Sequence, residues 1–346
     1  MKLQIKLPFL ALCSLLFVAC EHGGGGDDEY GKAFNVDEVY YVLNSGDYKS
    51  NNSSLTMYDA ATGAVTQWLF ETQNKRVLGN TANDIVVYGS KMYIAVSGES
   101  TIEVTDLCAR SIKQVKCDAQ PRYMAVDGGK VYISYYDGHV ARLDTTILDV
   151  EAKVKVGRNP EQLAVVGKRL YVANSGGMDL FSEVGADKTV SVIDLESFEE
   201  VKKIDVALNP SLVVADGSGV FVVSYGNYYD VPGAFQYINA ADDAVTVIEE
   251  CNDVVELCYK NGVVYGFSWT PTYISYDVNS KVVDSPWVKE NEKPTGPYKV
   301  CSVGEYLCVT ASDYTNDGDA YIYDTDGMLV KKVATGLNPI KMVKAK

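Results

Sequence analysis

The chain has 346 residues and a formal net charge of −15 at pH 7, with 31 Lys and Arg against 46 Asp and Glu. Such an acidic surface repels phosphate backbones and anionic lipid, which argues against nucleic acid as a partner. The length predicts either several ordinary domains or one large repetitive domain. With 47% hydrophobic and 22% charged residues, the composition is that of a globular chain.

The N-terminal region predicts export and anchoring. A basic start precedes an apolar run over residues 7–19, which is too short for a comfortable transmembrane helix. Residues 16–20, Leu-Phe-Val-Ala-Cys, resemble the lipobox of bacterial lipoproteins, whose cysteine is acylated after cleavage. We therefore predict a signal peptide over 1–19, a lipidated Cys20, and a flexible acidic tether over 20–36.

From residue 37 to residue 346, short β-type runs separated by turn residues predict an all-β domain. One strand type occurs seven times and is centred on Tyr41, Tyr93, Tyr132, Tyr171, Phe221, Val264 and Leu307. A second type also occurs seven times and ends at Asp59, Asp106, Asp144, Asp194, Asn239, Asp277 and Asp324. Each second strand passes through a tight turn into a third, and a further strand precedes the first type. Seven units of four antiparallel strands predict a seven-bladed β-propeller.

The ends of this domain predict how the ring closes. Five of the preceding strands begin with proline at a position where no ladder donor is lost, at Pro121, Pro160, Pro210, Pro297 and Pro339. The first unit lacks such a strand, whereas Pro339 begins an unassigned one at the C-terminus. We expect the C-terminal strand to close blade one and to hide a sheet edge. Two stacked β-sandwiches would give a similar strand count but would not require seven matched units.

The fourth unit carries a family signature. Residues 170–175 read Leu-Tyr-Val-Ala-Asn-Ser, and residues 189–194 read Thr-Val-Ser-Val-Ile-Asp. These segments resemble the repeat of the YVTN (YncE-like) propellers, and degraded copies occur in other units. The resemblance covers residues 39–346 and implies the fold but no activity.

If the four strands of a unit are lettered A to D, with A the proline-led strand and B the first type above, the B-to-C and D-to-A connections vary greatly in length. These connections emerge on one side of the domain, which we name the long-loop face. Its long members are 43–54, 69–83, 174–188, 225–234, 287–297 and 311–319. Variable loops on a rigid scaffold are typical of a recognition surface. The predicted ligand-binding residues in or beside these loops are Tyr48, Arg122, Tyr135, Tyr136, Arg158, Asn174, Tyr225, Tyr228, Tyr229, Trp269, Tyr298 and Tyr314.

The side chains of these residues suit a recognition surface. Tyrosine offers a broad apolar ring and a hydroxyl with few torsions to freeze, so it binds large amphipathic ligands at low entropic cost. Arg122 and Arg158 are expected to point toward the central mouth. Packing between blades is the alternative role for the tyrosines, and a surface salt bridge is the alternative for the arginines.

Residues that could support catalysis or bind metal are scarce. The chain has two histidines, His22 and His139, so a histidine-based zinc site or a catalytic triad would depend on His139 alone. We predict no cofactor and no enzymatic activity. The carboxylates of Asp313, Asp317 and Asp319 resemble the start of a calcium loop, but the expected bidentate Glu is absent, and an ordinary acidic turn is the alternative.

Six cysteines lie beyond the predicted lipobox, and the sequence does not decide between disulfides and buried thiols. They are Cys108, Cys117, Cys251, Cys258, Cys301 and Cys308. Export would permit oxidation, yet six cysteines allow many pairings. Cys301 and Cys308 are expected to face each other if Gly304 and Glu305 form a two-residue hairpin turn.

These features together predict a capture protein. A lipid-anchored, acidic, tyrosine-rich propeller resembles the surface lipoproteins that bind cobalamin and pass it to a TonB-dependent outer-membrane transporter. That resemblance implies an outer-membrane anchor and an outward-facing position. A corrinoid fits because it is large, has apolar ring surface, carries amides and has little net charge. Capture of a ferric siderophore, haem or a glycan is the alternative. A propeller lactonase or lyase, or a protein-binding scaffold, represents a different class.

Overall fold

The computed structural model describes residue 31 and residues 33–289 and 293–346. The predicted signal peptide over 1–19, the predicted lipidation site Cys20 and most of the predicted tether lie outside the described residues. No helix in the described part of the chain is long and apolar enough to cross a membrane.

Seven four-stranded antiparallel sheets are arranged as the blades of a propeller, which confirms the predicted fold. We label the strands of each blade A to D from the central axis outward. The A strands of blades one to seven are β28 (Pro339–Lys344), β4 (Ala82–Tyr88), β8 (Pro121–Asp127), β12 (Pro160–Val166), β16 (Pro210–Ala215), β20 (Val254–Lys260) and β24 (Pro297–Val303). The B strands are β1 (Val39–Asn44), β5 (Lys91–Val96), β9 (Lys130–Tyr135), β13 (Arg169–Asn174), β17 (Gly219–Ser224), β21 (Val263–Ser268) and β25 (Tyr306–Ala311).

The outer half of each blade is a C–D hairpin. The C strands are β2 (Ser54–Asp59), β6 (Thr101–Asp106), β10 (His139–Asp144), β14 (Thr189–Asp194), β18 (Ala234–Asn239), β22 (Tyr273–Asp277) and β26 (Asp317–Tyr323). The D strands are β3 (Val65–Thr66), β7 (Ser111–Lys116), β11 (Asp149–Lys155), β15 (Glu199–Asp205), β19 (Val245–Val247), β23 (Val283–Asp284) and β27 (Leu329–Leu337). The described helices are α1 (Leu69–Asn74) and short 3₁₀ turns at Ser97–Glu99, Gly177–Asp179 and Glu249–Cys251.

The burial pattern explains why the B strands read as continuous hydrophobic runs. Every residue of β1 is buried, whereas β11 alternates between exposed and half-buried residues. A B strand is covered on both faces by neighbouring blades, while a D strand has one face in solvent. The core consequently lies between blades, as where Tyr93 of blade two packs in one cluster with Val131 and Tyr135 of blade three.

The C-terminal strand closes the ring as predicted. β28 pairs antiparallel with β1, with Tyr41 opposite Val343 and Leu43 opposite Lys341. The N–H of Ala345 then donates to the carbonyl of Val39 at 2.9 Å. All five prolines expected to begin an innermost strand do so.

Two long connections differ from the sequence expectation, because part of each packs against a C–D turn of the neighbouring blade rather than projecting from the long-loop face. Residues 69–83 include α1, whose Asn74 side chain donates to the carbonyl of Ala109 in a C–D turn at 2.8 Å. In the connection after β23, the N–H of Lys289 donates to the carbonyl of Gly327 in another C–D turn at 3.2 Å. Both segments follow very short D strands, so the chain fills the space that a longer D strand would occupy.

The cysteines of the described residues are all free thiols. Cys301 and Cys308 are register partners across the Gly304-Glu305 turn, which confirms that they face each other. A hydrogen bond from the Cys308 thiol is the main cause that lowers the pKa of Cys301. The structure therefore favours the buried-thiol alternative over a disulfide framework.

A charged cluster in blade three gives a pH-dependent contribution to stability. Lys130 Nζ lies 2.7 Å from Asp144 and 2.8 Å from Glu151. The hydrogen bond from Lys130 lowers the pKa of Asp144 to about 2. Because this pKa is depressed, the contribution of Asp144 is fully present above about pH 4 and is lost as the pH falls toward 2.

We expect Asp144→Asn to reduce the loss of stability as the pH falls from 5 to 2. Urea unfolding midpoints measured between pH 5 and pH 2 should fall less steeply in the variant than in the wild type. Asp149→Asn, the same change at an exposed aspartate nearby, serves as the control. An equally steep fall in Asp144→Asn would contradict the assignment.

Candidate ligand-binding site

The antiparallel order of the strands defines two faces. Each A strand begins, and each B–C loop turns, on the long-loop face, whereas the A–B and C–D turns lie on the opposite side, which we name the short-turn face. The described N-terminal segment lies at the short-turn face, where Phe34 N–H donates to the Cys108 sulfur in a C–D turn at 3.4 Å. Strand β28 also ends there. The long-loop face is thus free of both described ends of the chain.

The A strands surround a central channel with a cavity volume of about 490 Å³. Near its long-loop mouth the lining includes Asn83, Arg122 and Tyr298. Side chains two residues after the start of an A strand form the next level, among them Asp84, Tyr123, Glu256, Lys299 and Lys341.

Arg122 lies at the mouth, where the sequence placed it, and its guanidinium is fully engaged. It forms an ion pair with Glu161 at 2.9 Å, and its Nη1 donates to Asn83 Oδ1 at 2.6 Å. The ring of Tyr136 covers it, with its centroid 4.2 Å from the guanidinium carbon. Burial raises the pKa of Tyr136 to about 12, and the charge of Glu161 adds to this, so Tyr136 presents a neutral hydroxyl at physiological pH.

An aromatic cluster stands beside the mouth on the B–C loops of blades five and six. The ring centroids of Tyr225, Tyr228 and Trp269 lie 6.0 to 6.3 Å apart. Trp269 is 62% exposed and Tyr228 is 51% exposed. The side chain of Tyr225 is fixed by a hydrogen bond, in which its hydroxyl donates to the carbonyl of Val255 at 3.0 Å. The cluster therefore presents two exposed rings on a fixed base.

Further exposed rings extend this surface. Tyr229 is 82% exposed and contacts Phe181 of blade four edge-on at a centroid distance of 6.2 Å. On the neighbouring blade seven, Tyr298 packs against the exposed Tyr314 at 5.3 Å. Tyr48 is exposed on the blade-one loop, with Lys49 over its ring at 4.9 Å.

Three of the predicted ligand-binding residues do not lie at the channel mouth. Tyr135 is fully buried in the core between blades two and three, because successive strand residues point to opposite sides and only its neighbour Tyr136 reaches the mouth. Arg158 lines a separate cleft of about 480 Å³ between blades three and four, where it pairs with Asp179. The prediction that Arg158 points toward the central mouth is therefore wrong, and the salt-bridge alternative holds.

Asn174 is the third correction, since its side chain is fully buried at the end of β13. It accepts from the N–H of Gly157 at 3.0 Å and donates to Thr189 and Ser191 at 3.0 and 2.8 Å. A Cβ at Gly157 would lie 2.3 Å from the Asn174 amide carbon, so the glycine permits this close approach. Asn174 therefore fixes the corner of the blade and is unavailable to a ligand.

The possible calcium ligands do not form a site. Asp317 and Asp319 lie on strand β26 rather than in a loop, and Asp319 pairs with Lys332 at 2.9 Å. Asp313 instead caps its own turn by accepting from the side chain of Asn316 at 2.8 Å. Within the described residues, no group of three or more His, Cys, Asp or Glu side chains is arranged to hold a metal ion.

Sequence reasoning missed the charged level of the channel and the ring of Phe181. The missed channel residues share one position, two residues after the start of an A strand. A comparison of the aligned A strands would have found Lys299 and Lys341 at the same place after Pro297 and Pro339. Phe181 carries no local signal beyond its place in the long loop 174–188.

The fold and the aromatic mouth define a seven-bladed β-propeller with a loop-built candidate recognition face. The family described as Domain of unknown function (DUF5074) matches residues 38–231. Because this match covers more than half of the chain, the protein belongs to that family. No protein of curated function matches the sequence.

Several solved structures share the fold. Hydrazine synthase from Kuenenia stuttgartiensis has a TM-score of 0.59 and 20% identity, with 72% of this chain and 85% of that chain covered. A Bacteroides fragilis NCTC 9343 protein described as a candidate 6-phosphogluconolactonase has a TM-score of 0.62 and 13% identity, with 90% and 100% covered. The computationally designed Ika8 protein has a TM-score of 0.59 and 10% identity, with 86% and 88% covered. At these identities the likeness concerns the fold alone.

Proposed function

We propose that the protein captures a large, amphipathic, nearly neutral ligand on its long-loop face and releases it unchanged. The observation that carries this proposal is the cluster of Tyr225, Tyr228 and Trp269 beside the channel mouth. Exposed rings on a fixed base lose little conformational freedom when a ligand stacks on them. Tyr136, just after β9, and Tyr298, at the start of β24, add hydroxyls around the same opening.

A corrinoid is the ligand class that fits this face best. Its macrocycle offers apolar surface to the rings, and its amides can pair with tyrosine hydroxyls and loop backbone groups. Arg122 at the mouth is neutralised by Glu161, so it offers no free counter-charge to a multiply anionic siderophore, which the acidic surface of the protein repels. Haem and glycans remain the alternatives for the same stacking surface.

The proposal extends to presentation of the ligand at a cell surface. A lipid on Cys20 would connect to the propeller through the segment that reaches the short-turn face at Phe34 and Cys108. The long-loop face would then point away from the outer membrane, toward ligand outside the cell. In this arrangement a TonB-dependent transporter receives the ligand from the exposed face.

Alanine substitution of the exposed rings should weaken corrinoid binding. We expect Trp269→Ala and Tyr228→Ala each to cost about 1 to 3 kcal/mol of binding free energy if the ring is a central contact. Isothermal titration calorimetry with cyanocobalamin measures this directly. Trp68→Ala removes an exposed ring away from the long-loop mouth, on blade one, and should leave binding unchanged.

The same titration at several salt concentrations tests the ligand class. A neutral corrinoid should bind with little dependence on salt, because few exposed charges contribute. If a siderophore or a glycan binds and cyanocobalamin does not, the corrinoid assignment is wrong while capture stands. Turnover of a bound compound would overturn the proposal as a whole.

A further inference from the structure

Two lysines occupy equivalent positions on neighbouring inner strands of the channel. Lys299 lies two residues after Pro297 on β24, and Lys341 lies two residues after Pro339 on β28. These strands belong to blades seven and one, which are adjacent in the closed ring. Both lysines line the central channel. The fold therefore brings two cations together at one level of the channel in a chain of net charge −15.

The carboxylates at this level lie on the outer sides of the lysine pair. Lys341 Nζ pairs with Asp84 Oδ1 of blade two at 2.7 Å, and Lys299 pairs with Glu256 of blade six. From blade six to blade two, the order around the channel is therefore the Glu256 carboxylate, the two lysine ammonium groups and the Asp84 carboxylate. An anion that lies between the two lysines would therefore be attracted by both ammonium groups.

The lysines also retain hydrogen-bonding capacity, whereas the carboxylate of Asp84 is well satisfied. An ammonium has three donors, and each Nζ has one acceptor among the described residues. Asp84, by contrast, accepts from Lys341, from the N–H of Ile85 at 2.9 Å and from the N–H of Met124 at 2.8 Å. Lys299 and Lys341 are thus the charged groups of this level that retain unused donors.

Lys299 is positioned to act as a fixed cation. Burial by itself would lower the pKa of Lys299, but the negative charge of Glu256 outweighs it, and the pKa lies well above its usual value. Tyr123, at the equivalent position of blade three, brings a phenol to the same level of the channel. A cavity of about 490 Å³ falls within the size range of small-molecule sites.

We propose that the central channel holds a second binding site, in which Lys299 and Lys341 bind the carboxylate or phosphate group of a small organic anion. This site is separate from the aromatic surface and goes beyond the capture of a neutral ligand. Charge-assisted hydrogen bonds from two ammonium groups are the interaction that such an oxyanion requires. The ligand enters from the long-loop mouth, beside Arg122 and Tyr298.

The test uses inorganic phosphate and malonate as separate probes in calorimetric titrations of the intact protein at low ionic strength. We expect at least one probe to bind, and the preferred probe distinguishes a phosphate ligand from a carboxylate ligand. Lys299→Gln and Lys341→Gln should each weaken that binding about tenfold or more, since each removes one of two charge-assisted contacts. Lys332→Gln removes a lysine paired on an outer strand and should have no effect.

A second variant keeps the test valid if a single substitution fails to fold. Lys299→Gln leaves Glu256 buried without its cation, so the double variant Glu256→Gln with Lys299→Gln removes both charges together. We expect this double variant to fold and to lose anion binding. Absence of binding for both probes, or equal binding in the wild type and the folded channel variants, overturns the proposal. Titration of Lys341→Gln with cyanocobalamin reports on the aromatic surface, because Lys341 belongs to blade one whereas Tyr225 and Trp269 belong to blades five and six.

Discussion

Removal of residues 339–346 is expected to lower the free energy of unfolding by several kcal/mol, or to cause aggregation. The deleted segment contains β28, the innermost strand of blade one, with the buried side chains of Met342 and Ala345. Its loss exposes the backbone edge of β1 and leaves Asp84, 2% exposed, without the ammonium of Lys341. An uncompensated buried carboxylate and an open sheet edge both destabilise the folded ring.

Chemical denaturation and size-exclusion chromatography would measure this effect. Lys346→Ala, which removes an exposed side chain paired with Asp37 at 3.3 Å, is the control and should change the unfolding free energy little. If the truncated protein remains monomeric with an unchanged unfolding midpoint, β28 does not close the ring in solution.

Trp287→Ala is expected to cost about 3 to 5 kcal/mol of folding free energy, the range for removal of a buried aromatic side chain. Trp287 is 4% exposed, and its ring packs edge-on against Tyr265, Tyr273 and Tyr323 at centroid distances of 5.3 to 5.9 Å. Its indole N–H donates to the carbonyl of Gly266 at 3.0 Å. Truncation leaves a cavity between blades six and seven and an unpaired acceptor.

Trp269→Ala is the matched comparison. The same substitution at an exposed ring should change the unfolding free energy by less than about 0.5 kcal/mol while weakening ligand binding. Urea unfolding of both variants tests the pair. Equal destabilisation by the two substitutions would contradict the division between a core tryptophan and a surface tryptophan.

These two tryptophans show where sequence reasoning was sufficient and where it was not. Both lie in or beside segments that the sequence assigned to the long-loop face, and only Trp269 is exposed there. Trp287 follows the two-residue strand β23, and its segment turns inward to fill the space of a missing outer strand. The short D strand could not be recognised from local pattern, because an irregular segment that packs in a core resembles a surface loop.

The tyrosines near the mouth and the charges of the channel show the same difference between local pattern and tertiary structure. Tyr135 and Tyr136 are adjacent, yet one lies in the core and the other covers Arg122. Their order depends on where β9 ends, and a shift of one residue reverses it. The pairing of Lys341 with Asp84 joins residues 257 apart in sequence. No local feature of either residue predicts that contact.

The sequence by itself determined the seven blades, the proline-led inner strands and the closure by the C-terminal strand. These features follow from alternating burial and turn chemistry, which act over a few residues and repeat along the chain. Only the tertiary structure decided which side chains meet at the mouth and in the channel. Ring closure places the starts of seven strands that are distant in sequence around one axis. Which side chains line the channel therefore depends on the register and curvature of all the blades together.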